Sequence, residues 1–573
     1  MSDWSAAQWI SMARQLLDAG DLSGAEGLAR KAAAIAGNSR EPWLILALIA
    51  ERRNDLPAAH AHRQKAVEVS LPADMQQLLA AEIDRLLRVA TERTSDPVAW
   101  FDAGKALHEA RDMDRAISCY RRALELEPRY TAAMNNLGLA LNDCGETSAA
   151  IETLRSAIGL PGGAIVWDNY LYVLHFIDQV SAEAIASEHA AWAHACAPPA
   201  EECCSRFAND PAPDRRLRIG YVSPHFHRHP VGRLLLKLFA CQDRTQADVF
   251  CYSGGVTADA VTANLRAGAD HWIDVRGISD AALAGKIRSD RIDVLVDLTM
   301  HMAGNRLGVF ARRAAPVQIS YLAYVSTTGV PAMDYRLTDP RLDPAGRRLY
   351  GERNLWLPES YWCYEPASEA PQVNALPAIA NNRVTFASLN AFCKVSSRTL
   401  HAWIQILQQV PGSELLIHAY PGAHRERVTS LFSAAGIGSG RVRFFDRLSL
   451  KDYLRLHHEI DIALDPFAYA GGTTTLDAAF MGVATISLAG ETPHTRGGAS
   501  ILHALGLPDL VAHREAEYVD AAVRLAGDLS RLAGLRGSLR QRLLESSLCD
   551  GPGFACGVHA AYRDAWRRWC IAG

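Results

Sequence analysis

The chain has 573 residues, of which 49% are of hydrophobic type and 21% are charged. One hydrophobic core cannot serve that length, so about two to four domains are expected. Lys and Arg number 59 against 63 Asp and Glu, a net charge of −4 that excludes a global attraction to nucleic acid or anionic membrane and confines any phosphate site to a local cluster.

The twelve cysteines are scattered, form no CxxC pair and include the adjacent Cys203 and Cys204, so reduced thiols are expected. The opening MSDWSAAQWISMARQLL lacks the basic start and apolar core of a secretory signal, and no uninterrupted apolar stretch reaches membrane-spanning length. A soluble, cytoplasmic protein is the expectation.

Residues 1–160 are rich in Ala and Leu and nearly free of β-branched runs, which predicts helix throughout. They also repeat every 34 residues. Trp9, Ala13, Asp21, Leu22, Ala25 and Ala32 return as Trp43, Ala47, Asp55, Leu56, Ala59 and Ala66. Gly104, Ala106, Leu107, Ala116, Ile117 and Ala123 return as Gly138, Ala140, Leu141, Ala150, Ile151 and Ala157. Small residues at Gly104 and Ala116 let two antiparallel helices approach, and Pro128 ends the second helix of its repeat. Residues 69–97 break the register and are expected as an irregular helical insert. Period and small–large pattern resemble the tetratricopeptide repeat, whose helix pairs stack into a solenoid with a concave groove because one pair cannot bury its own face. That groove is the expected seat of an acceptor protein or peptide; the plainer alternative is a scaffold or a homodimer contact.

Residues 161–213 are expected as a helical linker ending in the Pro-rich, polar APPAEECCSRFANDPAPDRR. The character then changes. LRIGYVS, ADVFCYS, HWIDV, DVLVDLT and VQISYLAY alternate with helical stretches, which predicts a Rossmann-like parallel sheet over 214–382. RVTFASL, ELLIHAY, VRFFD, DIALDPF and ATISLAG predict a second over 383–573, after a Pro-rich crossover. Two doubly wound domains in tandem imply a cleft at the carboxyl ends of their strands. The last stretch, FACGVHAAYRDAWRRWC, reads as an amphipathic helix placed to pack back across the first α/β domain.

The most informative segment is DIALDPFAYAGGTTTLDAAFMGV, residues 461–483. A buried strand leads into Gly471 and Gly472, and Thr473, Thr474 and Thr475 then open a helix. Glycines admit close backbone approach, threonine hydroxyls donate hydrogen bonds, and a helix start offers free N–H groups with partial positive charge; together these can cradle a diphosphate. Asp477, one turn in, could accept from ribose hydroxyls, or serve only as a first-turn partner of the helix dipole. Lys394, in FASLNAFCKVS after the first strand of the second sheet, is a counter-charge for the same diphosphate or an ordinary solvated lysine. His225, His227 and His229 follow the first strand of the first sheet; no Cys, Asp or Glu completes a ligand set nearby, so one histidine in acid–base or hydrogen-bonding work is expected rather than a metal. His301 and Arg306 follow the fourth strand, and Tyr324, Ser326, Thr327 and Thr328 the fifth, all on the same rim. Asp112-Met113-Asp114, a DxD triplet, falls in a repeat turn and is expected to be solvated and far from the cleft. No GxxxxGK[ST] follows a strand and no GxGxxG opens either α/β unit, which argues against a P-loop ATPase and a dehydrogenase.

This order of motifs (helical repeats, GYVSPHFHRHP, DLTMHMAGNR, APVQISYLAYVSTTGVPAMDY, a loop lysine and YAGGTTTLD) resembles the protein O-linked N-acetylglucosamine transferase family over nearly the whole chain. The resemblance implies a two-domain GT-B fold, UDP-N-acetylglucosamine as donor, a Ser or Thr hydroxyl as acceptor, inversion at the anomeric carbon and no metal. Carried over by motif, it implies His229 and Lys394 as catalytic residues, His229 as candidate base. It implies Lys394, Gly471, Gly472, Thr473, Thr474, Asp477 and His301 around the donor. Leu450 and Tyr453 stand where the animal enzymes carry Lys and His, so the nucleobase contacts differ. GYVSPHF and DLTMHMAGN are closer to the plant O-fucosyltransferases of the same family, which use GDP-fucose; that donor and a non-catalytic repeat adaptor are the alternatives.

Overall fold

The structure is a computed structural model and describes residues 6–18, 21–35, 41–53, 73–344 and 349–572. Helices Ala6–Asp18, Leu22–Ile35 and Glu41–Arg52 open the chain, with Trp9, Ala13, Ala25 and Ala32 in one small core. Asp55, Leu56, Ala59 and Ala66, the later half of the first repeat match, lie outside the described residues. The second match is built as antiparallel pairs: Pro97–Glu109 with Met113–Leu126, and Thr131–Asp143 with Thr147–Ala157. Their spacing depends on the small residues that recur. A Cβ added to Gly104 would stand 2.8 Å from the Tyr120 ring, and one added to Gly138 would stand 2.5 Å from Leu154. Within the expected irregular insert, Ala73–Glu92 is one unbroken helix, and Asp96 then caps the next by accepting from the Val98 N–H at 3.0 Å.

Residues 164–195 are not a linker. Helices Ala164–Leu174 and Ala182–Ala195 share a core with the repeats and with Val222, Tyr252 and Leu295 of the first sheet, so solenoid and sheet are welded together. Tyr170, Leu171 and Val173 are fully buried there.

Seven strands form the first sheet: β1 Leu217–Ser223, β2 Ala247–Ser253, β3 His271–Asp274, β4 Val294–Asp297, β5 Val317–Ser320, β6 Tyr335–Thr338 and β7 Arg353–Trp356. Six form the second: β8 Thr385–Ser388, β9 Glu414–His418, β10 Val442–Phe445, β11 Ile462–Leu464, β12 Ala484–Leu488 and β13 Val511–Ala512. The pairings are parallel, in the orders β3-β2-β1-β4-β5-β6-β7 and β10-β9-β8-β11-β12-β13. Central strands such as β4 and β12 are buried along their whole length, as helices on both faces demand. In each sheet the order reverses once, between β1 and β4 and between β8 and β11. Loops diverge at such a point and leave a crevice for a ligand. The His225–His229 loop leaves β1, and the Lys394 and Gly471 loops leave β8 and β11.

The boundaries shift from the expected ones. Helix Pro377–Asn381 belongs to the second unit, where the Ala378 N–H donates to Asp461 at 2.8 Å. The closing helix, Gly551–Ala572, does pack back on the first: Trp566 Nε1 donates to the Ala212 carbonyl at 3.1 Å, and Arg563 to those of Pro213 and Arg215 at 2.9 and 2.7 Å.

Candidate active site

β11 delivers Asp465 to the crevice of the second sheet as a fully buried carboxylate. Its Oδ1 accepts the Gly471 N–H at 2.6 Å and its Oδ2 the Ser487 hydroxyl at 2.7 Å. Burial pushes this carboxyl up to about 6, against the pull of those donors. The bond to Gly471 folds the glycine loop back on its strand and aims the chain into helix Thr473–Phe480, preceded by Gly472 and capped by no side chain. Its first N–H groups therefore keep their demand for an acceptor, on the positive end of the helix dipole. A Cβ on Gly471 would stand 2.5 Å from the Thr475 hydroxyl and one on Gly472 2.9 Å from the Trp362 ring, so both positions are closed to larger residues.

Lys394 ends the single-turn helix Phe392–Lys394 after β8, with its Nζ 4.2 Å above the centre of the Tyr469 ring. Tyr469 lies in the loop leading to Gly471. From the same β8 loop, Asn390 Oδ1 accepts the Thr474 hydroxyl at 3.0 Å. Lys394 and the start of the Thr473 helix are thus held on one crevice wall. Burial lowers the lysine's pKa, opposed by Cys393 and Asp465, so the ammonium sits where an anion would stabilise it.

Across the crevice, His229 caps helix Pro230–Ala240, its Nδ1 accepting the Val231 N–H at 3.2 Å. That bond assigns the neutral ring its proton at Nε2. His225 stacks on it at 4.1 Å between centroids, and burial, with the two neighbouring histidines, pulls His229 down to about 2. Such an imidazole is a hydrogen-bond donor at Nε2 and a poor proton acceptor.

Asp477 lies between the two sheets. Arg233 reaches it from the His229 helix at 2.8 and 3.3 Å, and the Tyr364 hydroxyl donates to it at 2.5 Å. Both its oxygens are engaged, so a ribose hydroxyl would have to share them with an inter-domain ion pair.

Other rim residues are placed differently from expectation. His301 is wholly buried with both ring nitrogens bound, to Asp168 Oδ1 and the Thr328 carbonyl, each at 2.8 Å; it braces the fold and has no atom left for a donor. Ser326 bonds His175 Nε2 at 2.7 Å, while Thr327 and Thr328 hold Glu352 at 2.7–2.9 Å, so these face inward. Arg306 is tied to Asp280 at 2.6 Å. Asp114 of the DxD triplet is exposed, as expected, but it is not free of the second sheet unit: its Oδ2 accepts the Ala423 N–H there at 2.8 Å. Among the described residues, no group of three or more His, Cys, Asp or Glu could hold a metal ion, and no helix is long and apolar enough to cross a membrane.

Asp465, Asn390, Arg233, Tyr364, Trp362, Tyr469 and His494 escaped the sequence reading. His494, buried, holds the glycine loop through its carbonyl, which accepts from the Ala470 N–H at 3.0 Å. Only Asp465 carried a usable signal, as the acidic residue closing an otherwise apolar strand at a crevice.

Two parallel sheets sharing a crevice, with a lysine and an uncapped helix start on one wall, define a glycosyltransferase of the GT-B fold. The chain belongs to glycosyl transferase family 41, whose profile matches residues 167–376 and 369–556, and a tetratricopeptide-repeat profile matches residues 80–165. A relative from Hordeum vulgare named "Probable UDP-N-acetylglucosamine--peptide N-acetylglucosaminyltransferase SPINDLY" is 38% identical over 412 residues, 70% of this chain and 43% of that protein. A Caenorhabditis elegans UDP-N-acetylglucosamine--peptide N-acetylglucosaminyltransferase is 23% identical over 472 residues, 62% of this chain and 41% of its own. The chain thus spans under half the length of the curated relatives it matches. A solved structure of a mutant Thermobaculum terrenum O-GlcNAc transferase superposes with a TM-score of 0.81 at 31% identity, covering 93% of this chain and 98% of that one.

Proposed function

We propose that this protein transfers N-acetylglucosamine from UDP-N-acetylglucosamine to Ser or Thr hydroxyls of proteins, with inversion and without a metal. The observation that carries this reading is Lys394 standing over Tyr469 on the crevice wall that also bears the uncapped start of helix Thr473–Phe480. The names of the relatives and of the superposing bacterial transferase supply donor and acceptor.

In the reaction the acceptor oxygen bonds to C1 from one side as the C1–oxygen bond to the diphosphate breaks on the other, and the bonding pair leaves on the diphosphate. Negative charge grows there, where Lys394 and the Gly472–Thr474 backbone meet it; interactions stronger in the transition state than in the ground state are those that accelerate. His229, with its proton at Nε2, donates a hydrogen bond to the sugar or acceptor, and the acceptor's proton passes to a phosphate oxygen or water. Asp477 receives the ribose alongside Arg233. The repeat groove presents the acceptor.

Titration with UDP and with GDP separately tests this reading: UDP binding that Lys394→Ala weakens supports it, and no binding of either nucleotide refutes it. GDP-fucose is the second reading, prompted by the GYVSPHF and DLTMHMAGN motifs and by Leu450 and Tyr453 at the expected nucleobase positions; selective GDP binding would establish it. A chelator should leave turnover unchanged.

A further inference from the structure

Two turns of the repeat solenoid touch the second sheet unit beside the lysine. At the first, the Arg111 guanidinium lies 4.7 Å from the centre of the Tyr420 ring. Asp114 gives helix Ala423–Ala434 the cap that its own Gly422 cannot provide. At the second, Arg427 donates to the Cys144 carbonyl at 3.1 Å and pairs with Glu146 at 3.1 Å. Between those two contacts is Gly145, at φ +73°, where a Cβ would stand 2.9 Å from Phe392 Cε1. Phe392 is buried against this turn and against the His424 ring, 5.0 Å away between centroids. It is also the first residue of the three-residue helical turn that ends at Lys394. One short turn therefore points an aromatic ring at the solenoid and an ammonium at the crevice.

We propose that the repeat turn Cys144-Gly145-Glu146 is a positioning element of the transfer site, seating Phe392 so that Lys394 is held over Tyr469. The proposal rests on the transferase reading above. A side chain at residue 145 cannot be accommodated without moving either the ring or the turn, and a three-residue helix has no interior to absorb the displacement before it reaches Lys394. The solenoid then does more than offer an acceptor groove, and a chain lacking the repeats would lose the support of its lysine as well.

The test compares full-length Gly145→Ala with Gly159→Ala. Gly159 also has positive φ, at +89°, but a Cβ there meets nothing within 4 Å, so both variants carry the backbone strain and only one meets Phe392. Gly145→Ala should lower kcat for transfer to a peptide by about tenfold to a hundredfold, the cost of an ångström-scale misplacement, with little change in peptide KM. Amide hydrogen exchange over residues 388–396 should quicken in the same variant. Gly159→Ala should leave both readouts at wild-type values, and adding Phe392→Leu to Gly145→Ala should recover part of the loss. Should Gly145→Ala not fold, Phe392→Ala removes the contact from the other side and is read the same way. Wild-type exchange and kcat in the folded Gly145→Ala variant overturn the proposal, as does equal damage from Gly159→Ala. Exchange needs no substrate, so absent turnover in the wild type would count against the transferase reading alone.

Discussion

Replacing Lys394 by alanine should remove most turnover while leaving the protein folded. The side chain's visible support is the face of the Tyr469 ring at 4.2 Å, a contact worth about 0.5–2 kcal/mol, and burial already disfavours its charge. Stability should therefore change by about 2 kcal/mol at most. The catalytic effect is larger. An ammonium about 4 Å from a phosphate oxygen, at an effective dielectric near 20, is worth about 4 kcal/mol. Removal of one preorganised donor to developing charge costs a similar amount, roughly a hundred- to a thousandfold in kcat. The assay is UDP release at saturating donor, beside UDP affinity by calorimetry and a thermal melt. A kcat within about threefold of wild type, in a variant that melts normally, would remove Lys394 from the mechanism, since that is less than 1 kcal/mol. The pH profile offers a second check. Because burial lowers this lysine's pKa, kcat/KM of the wild type should fall on the alkaline side below 10.5, and Lys394→Arg should move that limb upward.

Asp465→Asn should loosen the glycine loop, because an amide cannot accept from both Gly471 N–H and Ser487 as the carboxylate does; a stability loss of about 1.5–3 kcal/mol and a raised donor KM are expected, and unchanged values for both would contradict the role. Arg233→Met strands Asp477, 2% exposed, and should cost about 3–5 kcal/mol; Arg233→Met with Asp477→Asn should cost less than the two singles added, so simple additivity in denaturant melts would show that the pair is not coupled. Acid should destabilise the fold between about pH 6.5 and 4. Burial lowers His175 to about 3, and His424 and His457 to about 4. Their folded pKa values lie below the unfolded one, so their contribution is full above pH 6.5 and is lost as the unfolded chain takes up protons, at about 1.4 kcal/mol per histidine per pH unit. Asp297 and Asp465, raised to about 6, act in the opposite sense but are fewer. Equal denaturation midpoints at pH 7 and pH 5 would rule this balance out.

The sequence carried what is periodic or local. A 34-residue recurrence of small residues marked the solenoid, and apolar runs marked the interior strands of both sheets. β6, β7 and β13 were missed because a four-residue segment in a Pro-rich crossover, or a two-residue edge, shows no recognisable run. In the site, the glycine–threonine helix start and the lysine loop could be found because each is a contiguous motif. What escaped was set by distant pairing. His301 reads as a rim residue until Asp168, 133 positions away, binds it. Asp477 reads as an open first-turn carboxylate, and the Arg233 that also holds it is 244 positions away. Asp114 is the surface carboxylate it looked like, but its partner, Ala423, is 309 positions away and left no local sign.

The return of helix Gly551–Ala572 to the first sheet has a consequence for biosynthesis. The earlier of the two α/β units cannot complete its surface until helix Gly551–Ala572 has left the ribosome, about 330 residues after its first strand begins. At about 5–20 residues per second, that leaves the flank awaiting Trp566 and Arg563 uncovered for roughly 17–67 s while the later unit is made. Nascent chains stalled before residue 551 should therefore be recognised by chaperones through that flank, and bulky additions beside helix Gly551–Ala572 should impair the first α/β unit rather than the second.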